Sequence, residues 1–168
     1  RGAGSSALEQ GRLALLRRAV DVFGFHLASL DLRQNADVHE RVVDELFSAA
    51  GSSYLPLSEV DRVERLAGEL TTIRPLQSPF VRYSDETLSE LQIAKAAANA
   101  RERYGDAAVP HYVISKSASV SDVLEAAVLL KEAGLLKPRE ASLGLDIAPL
   151  FETIADLRNC DQVLDELL

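Results

Sequence analysis

Three times along this chain a short aliphatic run passes directly into a helix-capping residue and an amphipathic helix. No other feature constrains the fold as strongly. The runs are residues 25–32, 109–115 and 143–150, each rich in Leu, Ile, Val or Phe. Strands that alternate with helices pair in parallel, because parallel neighbours need a crossover connection between them. The expected class is therefore a helix-rich α/β fold, with a partial parallel sheet of about three strands and about six helices. Three strand–helix units are too few to close a barrel, so residues 1–168 read as a segment of a larger α/β assembly.

The helix boundaries follow from caps and stripes. Residues 7–23 carry Leu13, Leu16, Val20 and Phe23 at 3-4-3 spacing and stop at Gly24. Asn35 caps a second helix striped by Val38, Val42, Leu46 and Ala49. Ser58 and Asp61 resemble a capping box ahead of Val63, Leu66, Ala67 and Leu70. Ser84 opens a long helix reaching Gly105, and Ser119 with Asp122 opens a fifth that ends before Gly134. Thr153 and Asp156 open the last, striped by Leu157, Cys160, Leu164 and Leu167. Residues 73–83 and 135–142 are extended, proline-containing connectors.

Composition narrows the function classes. The formal net charge is −8 and the sequence pI about 4.9, which argues against a nucleic-acid partner, since phosphates demand a basic surface. A few convergent arginines can still hold a small anion inside an acidic protein. No apolar run is long enough to span a bilayer, so no membrane partner is expected. The lone cysteine, Cys160, permits no internal disulfide, fits a cytoplasmic setting, and lies on an apolar stripe expected to be core. The chain lacks Met and starts on a Gly/Ser-rich stretch running into a helix, which fits an intact product that has lost its first residue and an excised piece equally well.

In parallel α/β folds ligands gather where the strands end and helix N-termini point. Topology thus brings Arg33-Gln34-Asn35, Ser115-Lys116-Ser117 and Phe151-Glu152-Thr153 to one edge. A guanidinium, an ammonium and a carboxylate together suit an anionic substrate and a divalent metal. Simpler readings exist for each. Arg33 can pair with Asp31 or Asp37, Glu152 can serve the helix dipole, and Lys116 can be a solvated strand end. His26 and His111 sit in strand positions, and His39 lies on a helix surface or packs locally. None has a partner at metal-ligand spacing.

At these strand ends the sequence becomes specific. The strings FGFHLASLDLRQN (residues 23–35), HYVISKSASVSDVLEAAVLLKEAG (residues 111–134) and APLFETIADLRN (residues 148–159) resemble, in order, segments of bacterial phosphoenolpyruvate carboxylases. The resemblance implies that residues 1–168 are a single central fragment of the catalytic domain of a larger, TIM-barrel-like, cytoplasmic enzyme. That enzyme converts phosphoenolpyruvate and bicarbonate into oxaloacetate and phosphate with Mg²⁺ or Mn²⁺, commonly as a homotetramer. By position, Arg33 matches the arginine that binds the phosphoenolpyruvate anion, and Glu152 matches a carboxylate ligand of the metal. Gln34 and Ser115 are implied to support substrate binding beside them. Lys116 stands where the family commonly has an apolar residue, and the resemblance assigns it no role.

The family's catalytic histidine, second metal carboxylate and mobile glycine-rich loop have no counterpart in these residues. The isolated chain is therefore expected to be inactive without the rest of the parent chain. The alternative is a non-catalytic helical interaction module derived from the same fold.

Overall fold

The computed structural model describes residues 11–24 and 28–168. Its elements run α1 (Arg12–Phe23), β1 (Leu32–Asn35), α2 (Ala36–Ala49), α3 (Glu59–Leu70), α4 (Asp85–Tyr104), β2 (His111–Ser115), α5 (Val120–Glu132), β3 (Leu136–Lys137), β4 (Ser142–Leu143), β5 (Asp146–Pro149) and α6 (Ile154–Leu167). β1, β2 and β5 form a parallel sheet with β2 in the middle, and β3 pairs with β4 as a short antiparallel ribbon. The helix-rich α/β class, with three parallel strands and six α-helices among the described residues, is thus as expected.

The first strand is not where the aliphatic run lies. Residues 25–27 fall outside the described residues, 28–31 are not extended in the sheet, and β1 begins only at Leu32. The polar trio Arg33-Gln34-Asn35 forms the strand because its backbone pairs with Val113, Ile114 and Ser115 of β2. Ladder partners, not local composition, decided this strand. The third run also divides. Gly144 separates β4 from β5, and its N–H donates to the Leu135 carbonyl at 2.7 Å. A Cβ at Gly144 would lie 3.1 Å from that oxygen, a tight approach that would push the two segments apart by a few tenths of an ångström.

The capping residues act as their spacing predicts. Ser58, Ser84 and Thr153 each accept a first-turn backbone N–H, and Ser119 and Thr153 form reciprocal capping boxes with Asp122 and Asp156. Asn35 occupies the cap position of α2 without a side-chain cap bond. Gly134, at φ +78°, turns the chain out of α5 in a conformation that a β-carbon would strain.

α5 organises the core. Its apolar residues run almost continuously, and a helix apolar on all sides is one buried on all sides. Ala126 and Leu130 pack against Tyr112 and Ile114 of the sheet, while Val128 and Leu129 join Val42, Leu46, Phe47, Tyr54, Leu66 and Leu91 between the helices. The stripes of the two terminal helices fare differently. In α1 Leu13, Leu16, Val20 and Phe23 are all exposed. In α6 Val163 is the buried residue, and Cys160 is half-buried rather than core. His39 departs from expectation too: it is fully buried, with Nε2 2.7 Å from the Tyr112 hydroxyl.

Candidate active site

The sheet has two faces, and strand alternation sorts the side chains between them. Tyr112 and Ile114 point toward the helices and are buried. Their register partners in β1 are Leu32 and Gln34, which share that face. Arg33 pairs with Val113 and so faces the opposite side, together with His111 and Ser115. Two adjacent residues of the candidate set are therefore separated by the pleat.

On the open face, Arg33 Nε donates to Ser115 Oγ at 2.9 Å, across the β1–β2 junction. Its Nη2 lies 3.8 Å from Glu152 Oε1, just beyond the end of β5. Arg33, Ser115 and Glu152, far apart in sequence, thus meet at the carboxyl edge of all three parallel strands. Ser115 is buried, whereas the Arg33 side chain remains 67% exposed. A guanidinium so held keeps donors free for an incoming oxyanion. The local alternatives for Arg33 are taken up elsewhere. Asp31 pairs with His111 Nδ1 at 2.9 Å, and Asp37 with Arg41 at 2.8 Å.

Gln34 is not part of this constellation. Its Nε2 donates to Glu90 Oε1 at 2.8 Å on α4, and its Oε1 accepts the Asn35 N–H at 2.9 Å. It braces the turn into α2 from the helix side and does not reach the open edge. Burial pushes the Glu90 carboxyl above its ordinary range, which the Gln34 bond partly offsets. Glu90 is a buried carboxylate that the caps and stripes did not single out. Its signal was its place among Thr87, Leu91, Ala94 and Ala97 on the buried side of α4, where a carboxylate needs a partner.

Beneath the same edge His39 and Tyr112 form a buried pair, ring centroids 5.2 Å apart and nearly perpendicular. Burial lowers His39 to about 4, so its imidazole is neutral at pH 7. The pair sits on the helix side of β2 and supports the strand rather than lining the open face.

The donor set suits a hard divalent cation only in part. Glu152 is a half-exposed carboxylate at the strand ends, but no group of three His, Cys, Asp or Glu side chains converges among the described residues. Mg²⁺ is commonly held by one or two carboxylates together with substrate oxygens and water, so Glu152 fits as a single ligand of a shared site. A groove of about 710 Å³ lined by Phe47, Ser52, Arg65 and Arg74 lies elsewhere, and contains none of these residues.

The family model described as phosphoenolpyruvate carboxylase matches residues 1–168. The chain is similar to the phosphoenolpyruvate carboxylase of Aromatoleum aromaticum (59% identity over 166 residues, 98% of this chain and 18% of that protein). It is likewise similar to those of Azoarcus sp. strain BH72 (57% over 166 residues) and Rhodopseudomonas palustris strain BisB5 (53% over 166 residues), with the same coverage. The chain spans about a fifth of the length of these curated relatives. A match to the family model along the whole chain, with relatives more than half identical to it, places this chain in the phosphoenolpyruvate carboxylase family.

Proposed function

We propose that this chain supplies part of the substrate site of an enzyme that carboxylates phosphoenolpyruvate with bicarbonate, giving oxaloacetate and phosphate. The observation that carries the reading is the meeting of Arg33 and Glu152 at 3.8 Å across the ends of β1 and β5. Arg33 binds the phosphoenolpyruvate anion, with Ser115 fixing the direction of the guanidinium through Nε. Glu152 contributes one carboxylate to a Mg²⁺ or Mn²⁺ site completed by groups from the rest of the parent chain. That cation, when bound, supplies positive charge to substrate oxygens. Gln34 acts from behind, by holding the β1–α2 turn.

The open sheet face is the side that would line the interior of a TIM-like barrel, with the site at the carboxyl ends of its strands. No helix among the described residues is long and apolar enough to cross a membrane. The acidic balance of charge opposes binding to nucleic acid, and the lone cysteine fits a reducing cytoplasm. It is the likeness to the family that carries the reading to a homotetrameric enzyme of central carbon metabolism feeding the tricarboxylic acid cycle.

The test is oxaloacetate formation, dependent on phosphoenolpyruvate and bicarbonate, by the full-length polypeptide containing this segment. Wild type is compared with Arg33→Ala, with folding checked by circular dichroism. Turnover by wild type and loss of about a hundredfold or more in kcat/KM for folded Arg33→Ala is the expected result. A wild type that forms no oxaloacetate would overturn the carboxylase reading and favour a non-catalytic module.

A further inference from the structure

Lys116 is the residue the site has not absorbed. It follows Ser115 directly, is exposed, and holds φ at +58°. The left-handed conformation is unfavourable for a residue with a β-carbon, and persists where the surroundings impose it. Here they do. The next three backbone N–H groups are all bonded: Ser117 to the Leu150 carbonyl at 3.0 Å, and Ala118 and Ser119 to Asp122 Oδ2 at 2.7 and 2.9 Å. The β2–α5 connection is thus pinned to the end of β5 on one side and to α5 on the other.

The pinning sets the place of the ammonium-bearing residue. Lys116 lies between Ser115, which holds Arg33, and Ser117, which is tied to a carbonyl two residues before Glu152. The nearby carboxylate is Asp37, in the first turn of α2. Its carboxyl is held below the ordinary range by the Arg41 hydrogen bond, with a further contribution from the Lys116 charge. Asp37 is already engaged by Arg41 at 2.8 Å, and Lys116 forms no ion pair among the described residues.

We propose that Lys116 is a second cation for the anion bound by Arg33, held at the strand edge by a locked left-handed turn so that it meets the phosphate-bearing substrate. This rests on the carboxylase reading for the identity of that substrate, but not for the oxyanion chemistry. A lysine here acts as a point charge beside the directional fork of the arginine.

The experiment separates charge from backbone geometry. Asn and Gly both tolerate the left-handed conformation, so Lys116→Asn and Lys116→Gly remove the charge while keeping the turn, and Lys116→Arg keeps the charge. In the full-length polypeptide, Lys116→Asn and Lys116→Gly should raise KM for phosphoenolpyruvate about tenfold, with kcat and the KM for bicarbonate changing much less. Lys116→Arg should recover most of that loss. Binding of inorganic phosphate by the same proteins, measured calorimetrically, should weaken in parallel. Unchanged KM and phosphate affinity in Lys116→Asn, an effect confined to bicarbonate, or failure of Lys116→Arg to recover the loss would each overturn the proposal. If wild type binds phosphate through Lys116 but forms no oxaloacetate, the carboxylase reading fails while the cation site stands.

Discussion

Arg33 on β1 and Ser115 at the end of β2 are joined by a 2.9 Å hydrogen bond from Nε to Oγ, so the guanidinium is aimed by a neighbouring strand rather than by its own. The bond fixes the plane of the fork and leaves the terminal nitrogens to face the strand edge, where Nη2 lies 3.8 Å from Glu152 Oε1. Ser115→Ala should therefore cost little stability, about 1 kcal/mol. In the full-length polypeptide it should raise KM for phosphoenolpyruvate several-fold, and steady-state kinetics beside chemical denaturation separate the two effects. A variant with unaltered KM would show that Arg33 needs no such support.

Glu125 is fully buried, accepts a 2.6 Å bond from the Tyr54 hydroxyl through Oε1, and has no partner at Oε2. Burial raises its carboxyl to about 8, so it is protonated at neutral pH in the folded chain. Because the folded-state value lies above the unfolded one, the folded chain binds the extra proton between about pH 4.5 and 8, and stability falls as pH rises through that window. Glu125→Gln mimics the protonated acid. Relative to wild type it should gain stability on the order of a few kcal/mol by pH 8 and little at pH 5, read from urea midpoints.

His39 has the opposite sign. Its folded-state value is lowered to about 4 by burial, so the unfolded chain takes up a proton first as pH falls below about 6.5. The stability that His39 contributes above that pH is lost progressively down to about 4. Replacing His39 with Gln should flatten this acid limb of the stability profile, whatever the cost of losing the Tyr112 contact at neutral pH. An acid limb of unchanged slope would count against this account.

Lys131 Nζ and Glu69 form a buried pair linking α5 to α3, with a second bond from Nζ to the Glu69 carbonyl at 3.0 Å. Lys131→Met alone leaves a buried carboxylate without its counter-charge, and should destabilise the chain by about 3–5 kcal/mol. Adding Glu69→Leu should recover much of that loss. A double-mutant cycle by urea denaturation checks the coupling, and additive effects would contradict it.

Leu13, Leu16, Val20 and Phe23 of α1 are exposed together on one helix that buries none of its residues. The 168-residue chain by itself should therefore self-associate. Sedimentation velocity should show this at micromolar concentration, and Leu16→Glu with Val20→Glu should reduce it. A monodisperse wild type would argue against an adhesive α1.

Local chemistry was legible in the sequence itself. Ser58, Ser84, Ser119 and Thr153 cap the helices they precede, because a side-chain oxygen and a free first-turn N–H are only a few bonds apart. The parallel sheet followed from the order of strands and helices, and the edge carrying Arg33, Ser115 and Glu152 followed from that topology. Pairing partners lay beyond its reach. β1 consists of Leu32-Arg33-Gln34-Asn35, a stretch with little strand character, because its ladder partner in β2 supplies the hydrogen bonds. The resulting one-residue alternation sent Gln34 to Glu90 and Arg33 to the open face, a division that no motif encodes. The burial of His39, the exposure of α1 and the left-handed turn at Lys116 were likewise tertiary decisions. His39 is covered from a distant strand by Tyr112, the Lys116 turn is held through Ser117 by the Leu150 carbonyl, and α1 finds no such cover among the described residues; which of these holds is settled only once the chain has folded.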